Sequence, residues 1–356
     1  MILQRPLFYA LLLWVTLGCQ AQPDPASPQS HHSPDGGFVN PYATHESEPG
    51  FRKLMKWFWE REKPNPSDSI ISRVVPRVSP DYQTLHLPNS GDIQVTWLGH
   101  STFLVQMEGM NILTDPIFSD RCSPVQWAGP KRLSPPALPL DSLPRIDLVV
   151  ISHNHYDHLD RGTVEHLGSS ARWLVPLKVK SWFQDMGIET VEELDWWDST
   201  RVGDLKFVCT PSQHFSGRTP FDRNETLWAG WAITGATQRF WFGGDTGYNP
   251  IQFKNIGTDL GPFDLALIPI GAYDPRWIMK NHHVNPEEAV QIHLDIRSLF
   301  SIGMHWGTYI LTDEPIQEPA ERLKLATQAS GLSNDSFITA PLGKTFRIPV
   351  SPTAAD

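Results

Sequence analysis

The hydrophobic pattern of this chain changes period several times, and each change marks an element. From Ile93 to Pro116, short β-rich runs are interrupted at Glu108-Gly109-Met110-Asn111, which predicts an early hairpin. The apolar-rich run Ile146 to Ser152 predicts a buried strand, and Phe207–Gln213, Arg239–Gly244 and Ser301–Met304 predict three more. Asn285-Pro286-Glu287-Glu288 reads as a helix start. Asn285 can accept backbone N–H groups, Pro286 suits the first helical position, and two acids lie near the positive end of the dipole. Phe51, Leu54, Met55, Phe58 and Trp59 recur at helical spacing, with Arg52, Lys53, Lys56 and Arg61 among or beside them. Such a basic amphipathic helix either lies on anionic lipid or docks its apolar stripe on the rest of the chain.

Candidate chemistry sits where these strands end. Directly after Ile146–Ser152 comes His153-Asn154-His155-Tyr156-Asp157-His158, an H-x-H-x-D-H segment that delivers three imidazoles and a carboxylate to one end of a sheet. Nitrogen and oxygen donors without a thiolate suit zinc, with manganese or iron as substitutes. His214, Asp245 and His305 each follow their own strand at a Gly-, Ser- or Thr-containing loop, the setting that converges side chains on one sheet edge.

These residues, in this order, resemble the metal ligands of the metallo-β-lactamase superfamily. The resemblance is closer to one branch, the N-acylphosphatidylethanolamine-hydrolysing phospholipase D family. It is carried by Thr96–Thr102, Leu113–Ser119, Gly129–Arg132, Gln213-His214, Arg218-Thr219, Gly244–Tyr248, Pro269–Trp277, His283–Val290 and Met304–Thr308, and spans roughly residues 38 to 348. It implies an α/β fold, a four-layer αββα sandwich, with two zinc ions at one edge. One zinc would take His153, His155 and His214, and the other Asp157, His158 and His305. Asp245 would bridge them with a hydroxide, which makes Asp157 and Asp245 the catalytic carboxylates. Asp115 and His100 are expected to hold ligands by hydrogen bonding. Tyr156, His283 and Arg218 are candidates to contact the substrate phosphate or leaving group. His166, His282 and His293 are expected to be structural.

The N-terminus has a different character. Arg5, the apolar Leu7–Leu17 stretch and Gly18-Cys19 form an export signal too short to span a bilayer. Cys19 after a small residue resembles a lipobox, and Gln20 in place of aspartate points to an outer-membrane anchor facing the periplasm. Residues 1–18 thus read as signal peptide, 19–50 as a flexible Pro-, Ser-, Gly- and His-rich tether in which His31 and His32 are solvated, and 51–350 as one catalytic domain. Cys122 and Cys209 are the other thiols, with Cys209 expected buried and free.

Composition narrows the function. A chain of 356 residues with 40% hydrophobic residues can bury a substantial core. A formal net charge of −10 argues against nucleic acid, whose enzymes display a basic face. The 14 Trp and 17 Phe could include a groove for acyl chains. Three functions remain: a zinc phosphodiesterase acting on N-acylphosphatidylethanolamine or related glycerophospholipids, a hydrolase of lactone, thioester or β-lactam carbonyls, and a non-catalytic envelope lipoprotein.

Overall fold

The computed structural model describes residues 30–43, 50–87 and 91–349; the signal peptide and Cys19 lie outside them. The run expected to begin with a hairpin forms β1 (Ile93–Gly99), β2 (Thr102–Met107) and β3 (Met110–Thr114). Glu108 and Gly109, both at positive φ, make a two-residue turn that pairs Met107 with Met110. The first sheet continues with β4 (Leu148–Val150), β5 (Arg172–Pro176) and β6 (Val191–Leu194). The second comprises β7 (Ser199–Val202), β8 (Leu205–Thr210), β9 (Gly230–Thr234), β10 (Arg239–Phe242), β11 (Leu265–Pro269), β12 (Ser301–Met304) and β13 (Phe337–Thr339). The last strand, β14 (Thr345–Ile348), returns to the first sheet beside β1.

The two sheets run β14-β1-β2-β3-β4-β5-β6 and β13-β12-β11-β10-β9-β8-β7. Each is antiparallel on one side and parallel on the other, the parallel parts being β3 to β6 and β10 to β13. Parallel neighbours need crossovers; a loop with only the short 3-10 turn Leu140–Ser142 joins β3 to β4, and helices provide the others: Arg161–Leu167 and Lys180–Gln184 in the first half, Pro250–Asp259, Pro286–Asp295 and Glu318–Ala329 in the second. The helix expected from Asn285 is Pro286–Asp295, with Asn285 and Glu288 closing a capping box. β1 and β2 are buried at every position, as strands covered on both faces must be. Trp97, Trp173, Trp228, Trp231 and Trp241 are fully buried in one continuous apolar core. The Trp231 indole donates to the Ile151 carbonyl and so joins β9 to the segment after β4. The result is a four-layer αββα sandwich. No helix among the described residues is long and apolar enough to cross a membrane.

Two expectations need correction. Residues 30–43 are not a free tether: Phe38 is buried in the core, its N–H donates to the Asn224 carbonyl, and His32 bridges back to Phe38. His31 is buried and His32 partly exposed, and both are tied down, their Nε2 atoms lying 2.6 and 2.7 Å from the two carboxylate oxygens of Asp195. Burial raises the Asp195 pKa, but the hydrogen bonds from His31 and His32 outweigh it and hold the carboxyl below its ordinary range. The Phe51–Glu60 helix docks on the domain: Trp57 donates to Asp313, Arg61 to the Leu311 carbonyl, and the Lys53 ammonium sits 4.0 Å from the Trp277 ring centroid. Cys122 and Cys209 are both buried and free.

Candidate metal centre

The loop after β4 delivers His153, His155, Asp157 and His158, and the loops after β8, β10 and β12 deliver His214, Asp245 and His305. The backbone bends sharply to do this. His100, Asp115 and His305 have φ of 54°, 32° and 60°, a left-handed region that side chains rarely enter and that often marks functional sites. Gly244, at φ +58°, has no Cβ because one would meet the Ser152 Cβ at 2.6 Å, so glycine lets Asp245 come close to the β4 loop.

The donors fall into two main groups whose ligand atoms all lie within 4.8 Å of one another: His153, His155 and His214, and His100, Asp157, His158 and His305. Asp245 stands between them, with its Oδ2 3.1 Å from His158 Nε2, 3.0 Å from His305 Nε2 and 3.8 Å from His214 Nε2. In the first group, ring nitrogens meet at 2.8 Å (His153 to His155) and 3.3 Å (His214 to His155). Burial, joined by neighbouring imidazoles, pushes His153 and His214 well below the usual histidine pKa. Burial brings His155 down to about 4. These rings are therefore neutral at pH 7, the form that ligates a metal. In the second group burial brings His100 down to about 3, whereas Asp245 and Asp157 outweigh burial and raise His158 well above its ordinary value and His305 to about 9. His158 Nε2 and Asp245 Oδ1 are buried with no hydrogen-bond partner among the described residues. Buried polar atoms left so are costly unless something else engages them, and a divalent cation fits this donor set.

Supporting contacts fix each ring. Asp115, fully buried, accepts from His158 Nδ1 at 2.6 Å and from the Ser152 N–H and hydroxyl, which leaves His158 Nε2 facing the other donors. The His214 Nδ1 lies 2.9 Å from the His282 carbonyl, a bond that selects the tautomer with Nε2 free toward the centre. His282, expected to be only structural, thus orients a donor through its main chain. The signal was weak, since a backbone acceptor leaves no residue-type signature. His100 lies 3.0 Å from Asp157, while His293, away from the centre, pairs with Ser301.

A cavity of about 700 Å³ opens above the donors. Leu54, Phe215, Trp277, Ile278, Met279 and Leu311 supply apolar walls, and Lys53, Arg223 and Lys280 supply charge. His283 lines it too, with Nδ1 3.9 Å from Asp245. Tyr156 and Arg218 are not among the residues that line it. One terminal guanidinium nitrogen of Arg218 donates to the carbonyls of Asn154 and Leu159, at 2.7 and 2.9 Å, and so ties Arg218 to the donor loop.

A family model described as the beta-lactamase superfamily domain matches residues 110–306. An N-acyl-phosphatidylethanolamine-hydrolyzing phospholipase D of Caenorhabditis elegans is 48% identical over 263 residues, covering 70% of this chain and 74% of that protein. The chain belongs to the metallo-β-lactamase superfamily, in its N-acylphosphatidylethanolamine-hydrolysing phospholipase D-like branch. An uncharacterised protein of Mycobacterium tuberculosis is 44% identical over 309 residues, covering 85% of this chain and 81% of that one. Among solved structures, a possible metal-dependent hydrolase from Veillonella parvula aligns with a TM-score of 0.58 at 15% identity, over 72% of this chain and 99% of that one. Membership of this superfamily makes the chain a metal-dependent hydrolase that binds divalent metal.

Proposed function

We propose that this protein is a binuclear zinc phosphodiesterase that hydrolyses N-acylphosphatidylethanolamine, or a related glycerophospholipid, to phosphatidic acid and an N-acylethanolamine. The observation that carries the reading is the combination of two donor groups flanking Asp245 with an apolar cavity edged by cations. His153, His155 and His214 would hold one ion, Asp157, His158 and His305 the other, and Asp245 both. Bound zinc supplies a nucleophile from water near neutral pH and neutralises charge building on the phosphoryl oxygens.

The chain's own residues do the rest. Lys53, Arg223 and Lys280 draw the phosphate toward the donors, and Trp277, Ile278 and Met279 receive acyl carbons. Burial brings the His283 pKa down to about 3, so it faces the reacting group as a neutral ring able to hydrogen-bond the leaving oxygen. Water adds across the P–O bond on the ethanolamine side: its oxygen goes to phosphorus and a proton to the departing alkoxide.

A lipid surface suits the exposed aromatics of this chain: Trp59, Trp127 and Phe221 are 77%, 82% and 90% exposed, and aromatic side chains favour bilayer interfaces. We propose further that mature protein begins at a lipid-modified Cys19 and faces the periplasm from the outer membrane, an anchoring that concentrates enzyme on its substrate.

Hydrolysis in isotopically labelled water tests the reading. Label in phosphatidic acid and none in N-acylethanolamine is the expected result. Efficient lactone or thioester hydrolysis without phospholipid turnover would replace it with the carbonyl-hydrolase alternative, and absence of stoichiometric metal would favour a non-catalytic lipoprotein.

A further inference from the structure

We propose that the strap of residues 30–43 positions the metal centre, with Asn40 setting the main chain of His214 and a latch of His31, His32 and Asp195 keeping Asn40 in place. The proposal rests on His214 being a metal ligand, as argued above. Asn40 lies 174 residues from His214 yet satisfies both of its backbone groups: Nδ2 donates to the His214 carbonyl at 2.7 Å, and Oδ1 accepts the His214 N–H at 3.2 Å. A carboxamide offers donor and acceptor in one plane, so it serves His214 as a neighbouring strand would, at a point where β8 has already ended.

The latch connects to Asn40 through two tryptophans. Both carboxylate oxygens of Asp195 are engaged by the adjacent histidines, and the His31 ring stacks on Trp196 with centroids 4.1 Å apart. Trp196 Nε1 donates to the Trp228 carbonyl at 2.7 Å, and Trp228 Nε1 donates to Asn40 Oδ1 at 3.1 Å. Between latch and Asn40, the buried Phe38 fixes the strap to the loop that follows His214, since the Asn224 carbonyl takes the Phe38 N–H and the Asn224 N–H goes to Ser216. A disturbance at Asp195 thus has a continuous packed and hydrogen-bonded route to a donor of the centre.

Full-length protein loaded with zinc, and separately with cobalt, tests this in four forms: wild type, Asn40→Asp, Asp195→Asn and the double variant. Asn40→Asp keeps the acceptor but turns the donor into an oxygen facing the His214 carbonyl. It should speed zinc loss to a chelator by about tenfold and alter the visible cobalt spectrum, a magnitude typical of groups that orient ligands. Asp195→Asn, which touches no donor, should act in the same direction more weakly, and the double variant should add little to Asn40→Asp. Folded variants with wild-type chelator kinetics and spectra would overturn the proposal. Should Asn40→Asp not fold, Asp195→Asn alone decides by the same readouts. Loss of a third stoichiometric ion in Asp195→Asn would replace the latch with a separate metal site. Wild-type protein without stoichiometric metal would remove the underlying reading and the proposal with it.

Discussion

The guanidinium of Arg218 stacks on the Tyr156 ring, 4.0 Å from its centroid, while the Tyr156 hydroxyl donates to the Arg218 carbonyl. The two residues close a ring across the donor loop, and Arg218 reaches carbonyls near both ends of that loop. Lysine offers neither the planar stack nor the fork. Arg218→Lys is therefore expected to lower stability by about 1–3 kcal/mol through lost charge-assisted hydrogen bonds in a largely buried site, with KM near wild type. Denaturant unfolding beside steady-state kinetics checks both; a selective rise in KM would return Arg218 to the substrate.

Asp245→Asn should leave the fold intact and weaken metal retention and turnover by more than the ~10–100-fold seen for groups that only orient ligands. Its carboxylate faces His158, His305 and His214 together, and an amide brings no charge to that position. Elemental analysis of protein prepared without chelators should give about two divalent ions per wild-type chain, since these donors exceed what one tetrahedral zinc uses, and fewer for the variant.

Gly271 marks a steric limit on the centre. A Cβ there would lie 2.2 Å from the His305 carbonyl oxygen, and backbone cannot move aside as a flexible side chain would. Gly271→Ala is expected to cost about 1–3 kcal/mol of overpacking and to displace His305. Thermal unfolding combined with zinc titration should show stability and affinity falling together.

Acid should release the strap. The folded-state pKa of Asp195 is depressed, so its contribution is complete above the ordinary aspartate range and is lost as pH falls through the lower folded value. Amide exchange in residues 30–43 should rise as pH drops below about 4, beyond the intrinsic pH dependence of exchange. Asp195→Asn should show fast exchange at every pH. A variant that keeps the wild-type pH profile would place the acid sensitivity elsewhere.

The convergence of the candidate donors was legible because metal-binding patterns need particular residue types and strand ends place them. H-x-H-x-D-H after an apolar run exposes four donors at once, and His214, Asp245 and His305 each follow a readable strand. The strap was not legible for the opposite reason. Pro, Ser and Gly dilute its single large anchor, Phe38, so no period arises, and an ordered strap has the same composition as a linker. Arg218 shows a third limit, because an arginine near a candidate metal site looks like a phosphate ligand even though one of its terminal nitrogens is spent on two main-chain carbonyls. Nothing in the sequence records that expenditure.

The donors come from both sheets: the β4 loop belongs to one, and the loops after β8, β10 and β12 to the other. Neither half of the chain therefore carries all of these donors, so the full set assembles only once the halves have met. Occupancy and folding become linked equilibria, and free metal at a thousand times its dissociation constant adds about 4 kcal/mol to the native state. A cell compartment that starves this protein of its metal would then shorten its lifetime as well as silence it.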